Sequence, residues 1–187
     1  ALHYADYAAW QRSWLEAGEE VRQLDAWKAA LGDSHPPLDL PFDRPRPAER
    51  SDAGAAHRFR LSRPLSEGLR ALARGRGAST FMVVLALFKL LVARNGGGDD
   101  IRIGAPLAHR GRAETHPMIG YFTNVAVLRT VIDQRQGFAA LLDQVREGLL
   151  AAETRIDVPF DIVVEALAPP RQAGVHPLFQ VKCTEQA

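Results

Sequence analysis

The sequence predicts an α/β or α+β fold, because two kinds of hydrophobic periodicity alternate along it. Long stretches repeat apolar residues every three or four positions, the spacing of one helix face, and shorter stretches between them alternate as strands do. Composition agrees: 187 residues, 47% hydrophobic and 24% charged, suffice to bury a core without disulfides or metals. Lys and Arg number 23 against 22 Asp and Glu, a net charge of +1, so no global field draws the chain to nucleic acid or an acidic membrane. The single cysteine, Cys183, excludes an internal disulfide and a cysteine-rich zinc site, and points to the reducing cytoplasm. The opening Ala1-Leu2-His3-Tyr4 has no signal or transit character, and the end at Glu185-Gln186-Ala187 follows a strand-like run. These ends suggest a piece truncated on both sides.

The first element is a helix over roughly residues 4–31. Tyr4, Tyr7, Trp10, Trp14, Val21, Leu24 and Trp27 recur at helical steps, and Gly18 marks a possible bend. A connector follows, from Pro36 to Pro47, with five prolines in twelve residues that force extended backbone. Arg44, Arg46 and Arg50 read as its solvated face. His57-Arg58-Phe59-Arg60-Leu61 alternates like a strand, and a helix is predicted over about residues 65–74. Ser79-Thr80 then caps an apolar helix from Phe81 to Ala93, broken only by Lys89, which at about thirteen residues falls short of the ~20 needed to cross a bilayer. Asn95-Gly96-Gly97-Gly98 ends it. This glycine run lacks the Lys-Ser/Thr of a phosphate loop.

Asp100 to Pro106 alternates as a strand, and a polar link from Ala108 to Pro117 leads to a second strand around residues 122–132. Helical spacing returns at Phe138, Leu141, Leu142, Val145, Leu149 and Ala152. Pro159 suits the first turn of a short helix carrying Phe160, Val163, Val164 and Leu167. Leu178 to Cys183 closes as a strand. The regions divide as a helical segment (1–33), a Pro-rich connector (34–56) and an α/β body (57–187).

No complete catalytic set emerges from these residues. The six histidines, His3, His35, His57, His109, His116 and His176, show no helical zinc spacing, and no Gly-x-Ser-x-Gly elbow occurs. His109-Arg110-Gly111-Arg112 is a small basic cluster, either a phosphate contact or a solvated loop. Asp157, ahead of a proline-initiated helix, favours that helix's N-terminus electrostatically or serves an interface.

Several short motifs carry a resemblance. Tyr4-Ala5-Asp6-Tyr7-Ala8-Ala9-Trp10 resembles the Tyr-x-Asp-Tyr-Ala-x-Trp motif of nonribosomal peptide synthetase condensation domains. Leu40-Pro41-Phe42-Asp43-Arg44-Pro45-Arg46-Pro47 is similar to that family's Pro-rich connector, and Gly98 to Pro106 to its Gly-x-Asp-Asp-Ile strand. Ile119-Gly120-Tyr121-Phe122-Thr123-Asn124 follows Ile-Gly-x-Phe-Val-Asn. Asp157-Val158-Pro159-Phe160-Asp161 resembles Asp-x-Pro-Phe-Glu, and His176-Pro177-Leu178-Phe179-Gln180 resembles Asn-Pro-Leu-Phe-Gln. They occur in the family's order across essentially the whole chain.

The resemblance implies one lobe of a two-lobed fold like chloramphenicol acetyltransferase, a mixed sheet layered with helices. It implies a tunnel between lobes in which an acceptor aminoacyl thioester attacks a donor aminoacyl or peptidyl thioester. Both would arrive on the 4'-phosphopantetheine arms of donor and acceptor peptidyl carrier proteins. The family's His-His-x-x-x-Asp-Gly motif has no counterpart, since no two histidines are adjacent. The resemblance is therefore to the C-terminal lobe, which alone would be inactive and would require the N-terminal lobe and an adjacent adenylation domain. No cofactor or metal is expected on this chain. Asn124 is the residue expected to touch the reaction, with Gly120, Tyr121, Phe122, Thr123, Ala105 and Pro106 as tunnel wall. Tyr4, Asp6, Tyr7, Trp10, Arg44, Asp157, Pro159, Phe160, Pro177, Leu178 and Phe179 are expected to support the fold. A non-catalytic recruitment domain, or an epimerisation or cyclisation relative, remain alternatives on the same fold.

Overall fold

A computed structural model describes residues 2–44, 47, 51 and 53–186. Its first helical segment is two α-helices, α1 (Tyr4–Trp14) and α2 (Glu20–Leu31), joined through a π turn at Leu15–Glu19. The bend sits at Gly18, whose φ of 109° lies where an L side chain is strained. The connector after α2 crosses the surface as extended backbone and Arg44 is exposed. Arg46 and Arg50, expected on its solvated face, lie outside the described residues.

Residues 57–61 form no strand. Phe59 and Leu61 are exposed, and among the described residues no strand pairs with this segment. A local alternation of two apolar residues cannot hold a strand without a ladder partner. Helix α3 (Arg63–Gly75) starts after Ser62 with Pro64 in its first turn and buries only Ala73. Helix α4 (Thr80–Val92) starts as expected at Ser79, whose hydroxyl accepts from the Met82 N–H at 3.1 Å. With the π turn that follows, residues Thr80–Gly97 are long and apolar enough by composition to cross a membrane. In the fold, α4 is a core helix with Val83, Leu85, Ala86 and Lys89 buried.

The sheet is an antiparallel pair, β1 (Asp100–Ala108) and β2 (Thr123–Val131), in register from Asp100 opposite Val131 to Ala108 opposite Thr123. The strand expected over Leu178–Cys183 reduces to one parallel bridge between Lys182 and Gly104. There the Gly104 N–H donates to the Val181 carbonyl and the Cys183 N–H to the Gly104 carbonyl, both at 2.9 Å. Phe160, His176 and Phe179 instead stack ring on ring beside it, so side-chain packing holds this terminus where a ladder was expected.

Helices cover both faces of the sheet. The Lys89 ammonium of α4 donates to the Leu128 carbonyl and Thr130 Oγ1, each at 2.7 Å. On the other face, Arg102 and Arg129 donate to the Leu31 and Ala30 carbonyls of α2. Helix α5 (Phe138–Glu153) packs beside α4 and over β2, and α6 (Phe160–Leu167) packs beside α2. Alternation along the strands thus decides which helix each residue meets. Burial holds the Lys89 ammonium down at about 7.

Candidate functional site

The chain between α5 and α6 is buried yet irregular: Ile156, Asp157 and Val158 are all inside. Buried backbone outside a helix or sheet must find hydrogen bonds from side chains. Here three amide side chains supply them. The Asn124 Nδ2 donates to the carbonyls of Ile156 and Val158, each at 2.7 Å. Its Oδ1 accepts from the N–H groups of Val125 (2.8 Å) and Phe160 (3.2 Å), the latter at the first residue of α6. Gln23 on α2 accepts from the Asp157 and Val158 N–H groups and donates to Asp157 Oδ2 at 2.9 Å. Gln11 on α1 donates to the Asp157 carbonyl at 3.1 Å.

The second carboxylate oxygen of Asp157 meets His109 Nε2 at 2.6 Å. A carboxylate only accepts, so Nε2 carries the hydrogen. The other ring nitrogen, Nδ1, has no hydrogen bond among the described residues. The His109 N–H donates to the Phe122 carbonyl at 2.8 Å, which ties the end of β1 to the start of β2. His109 and Asp157 border a cleft of 340 Å³, together with Tyr7, Tyr121, Asn124 and Asp161. Burial, and after it the charge of Asp157, raises the Tyr7 phenol above its ordinary value.

An aromatic layer closes one side. The Tyr7 and Phe122 rings lie 4.9 Å apart, and Tyr4 meets Phe122 edge-on at 5.2 Å. The Tyr4 hydroxyl donates to the Tyr121 carbonyl at 2.8 Å. A Cβ at Gly120 would overlap the Tyr4 ring, so only glycine permits this approach. Arg110 lies over the Phe122 ring at 4.2 Å and donates to the carbonyls of Thr115 and Met118. Arg112 lies over the Trp10 ring at 4.0 Å. The basic cluster is therefore turned onto aromatic rings and backbone.

Of the residues expected on one wall, Tyr121, Phe122, Thr123 and Asn124 border the cleft, and Gly120 lies beneath Tyr4. Ala105 is in the core and Pro106 is half-buried on β1, neither at this cleft. Asp6 closes the start of α1 by accepting from the His3 N–H at 2.8 Å. Pro159 immediately precedes α6, and Leu178 and Phe179 are buried. Sequence reasoning does not single out Gln11, Gln23 or the His109–Asp157 pair. Gln23 carries a signal: it stands four and eight residues before Trp27 and Leu31, on their buried stripe. The histidine carries none, because its partner is 48 positions away in sequence and no periodicity links them. Among the described residues no group of three or more His, Cys, Asp or Glu converges to hold a metal.

The chain belongs to the condensation-domain family, whose model matches residues 1–186. It is similar to a linear gramicidin synthase of Brevibacillus parabrevis, with 44% identity over 180 residues. That match covers 96% of this chain and 4% of the synthase, so the chain spans a small part of its curated relatives. Among solved structures it is similar to the X-domain in the complex of the X-domain and OxyB from teicoplanin biosynthesis. There the TM-score is 0.86 and the identity 31%, over 97% of this chain and 41% of that one. It is also similar to a four-domain nonribosomal peptide synthetase bound to AMP and glycine, with a TM-score of 0.84 and 30% identity, over 88% of this chain and 12% of that one. The fold is that of condensation domains, like chloramphenicol acetyltransferase.

Proposed function

We propose that the chain is the C-terminal lobe of a condensation domain and supplies one wall of an amide-forming tunnel. In this reading the other wall is an N-terminal lobe bearing the adjacent histidines that this sequence lacks. A donor aminoacyl or peptidyl thioester and an acceptor aminoacyl thioester meet between the lobes, each on the 4'-phosphopantetheine arm of a carrier protein. An adenylation domain in the same synthetase loads the acceptor, and the free, half-buried Cys183 suits a reducing cytoplasm. The observation that carries the reading is the family match across residues 1–186, with the Tyr121–Asn124 motif bordering the cleft.

The chemistry asks little of a strong base. An α-amine titrates near 7.7–8.0, so a useful fraction is neutral at cytoplasmic pH. Alignment of two tethered reactants in a water-poor tunnel then supplies much of the acceleration. Asn124 contributes as a positioning residue: its amide spends its hydrogen bonds on the backbone of residues 125, 156, 158 and 160, and so holds the wall rigid.

A single-turnover assay with both carriers loaded tests the reading. The complete domain is expected to move the donor acyl group onto the acceptor carrier, read by mass spectrometry, while residues 1–187 alone give no product. Turnover by residues 1–187 alone overturns the placing of the chemistry in two lobes. A second reading is favoured by the similarity to an X-domain solved with a protein partner: a recruitment domain on the same fold. Binding of a partner enzyme by the complete domain, with no amide product from loaded carriers, supports that reading.

A further inference from the structure

We propose that His109 is the proton acceptor for the acceptor amine, held in place by Asp157 and Gln23. The inference rests on the amide-forming reading above and adds a residue from this lobe to its chemistry.

The His109 imidazole is fixed at one nitrogen and open at the other. Asp157 Oδ1 takes the Nε2 hydrogen at 2.6 Å, so the neutral ring presents a lone pair at Nδ1. Asp157 is itself immobilised, by Gln23 at its other oxygen and its N–H, and by Gln11 at its carbonyl. A base held by an orienting carboxylate, which is in turn held by packed amides, is the arrangement by which proton-transfer groups are aimed. Neither Nδ1 nor the cleft beside it has a structural task among the described residues.

The charge around the cleft selects the amine over the carbonyl. The titratable and charged groups facing His109 are Tyr7 on α1, Tyr121 before β2, Asp157 and Asp161 around the start of α6, and Arg110 next in sequence. Arg110 is committed to the Phe122 ring and the Thr115 and Met118 carbonyls, and Arg112 to Trp10. Among the described residues the cleft therefore offers an incoming ligand carboxylates and a lone pair, with both neighbouring cations already engaged elsewhere. A primary amine fits it, and a developing alkoxide does not.

The step balances without a further reagent. The neutral amine attacks the thioester carbon and the C–N bond forms. Nδ1 takes the proton that the nitrogen must lose, giving an imidazolium paired with Asp157. The C–S bond breaks, sulfur leaves with the electron pair, and the imidazolium returns the proton to give the free thiol.

The test uses the complete synthetase module, single-turnover kinetics and a series of pH values. His109→Gln is expected to slow amide formation by about 10²-fold or more and to abolish the acidic limb of its pH–rate profile. In His109→Ala, added imidazole is expected to restore part of the rate. A folded His109→Gln enzyme with an unchanged rate and profile overturns the role of His109 alone. A wild-type module that makes no amide from loaded carriers overturns the functional reading and this inference with it. Wild-type protein gives an independent readout if the variants misfold. Carbethoxylation of His109, located by peptide mapping, is expected to fall when acceptor-loaded carrier saturates the domain, and equal modification overturns the proposal.

Discussion

The Asn124 amide shows how one side chain can govern a loop it does not belong to. Four backbone groups from residues 125 to 160 rely on it. Asn124→Ala strands them, and an unmade buried hydrogen bond costs about 1–3 kcal/mol. Because the site is half-buried and water reaches part of it, a total loss of roughly 2–4 kcal/mol is expected, read from urea denaturation midpoints. Lys89 sets a different dependence. Its folded value of about 7 lies below the ordinary 10.5, so between these the unfolded chain binds the extra proton. Stability from this group therefore rises with pH across that window, and its cost is fully present below 7. Denaturation at about pH 6, 8 and 9.5 is expected to show that rise, and Lys89→Met to flatten it.

At the scale of elements, contacts explain what was legible. The α4 cap at Ser79, the β1 and β2 strands and the α5 stripe follow local periodicity, so sequence alone places them. The segments at 57–61 and 178–183 have the same local alternation, but a strand exists only where another strand offers its ladder. The candidate site was half legible for the same reason. Its Tyr121–Asn124 wall is a contiguous motif, whereas Gln11, Gln23 and His109 join it through side-chain bonds to a distant loop. The packing of α1 on that wall depends on Gly120. Gly120→Ala is expected to push the Tyr4 ring aside and break its bond to the Tyr121 carbonyl. Hydrogen exchange should then quicken in α1 while α5 stays protected.

Across the whole molecule, apolar exposure is concentrated near the aromatic wall. Ile119 is 97% exposed and Tyr121 74%, with Leu2 also exposed at a cavity beside Met118 and Ile119. Under the two-lobe reading this is where the N-terminal lobe closes the tunnel. Residues 1–187 alone are then expected to self-associate with rising concentration in sedimentation velocity. Ile119→Ser with Tyr121→Ser should keep them monomeric, and the complete domain should need no such change.

Gln11 and Gln23 stand on opposite sides of the Gly18 bend, and both grip Asp157. The two helices thus act as the arms of a calliper closed on a single residue. Any pivot of α1 against α2 must release one arm. A push on the exposed aromatic end of α1 would then reach the Asp157 carboxylate as a change in its hold on His109, with no movement of the sheet.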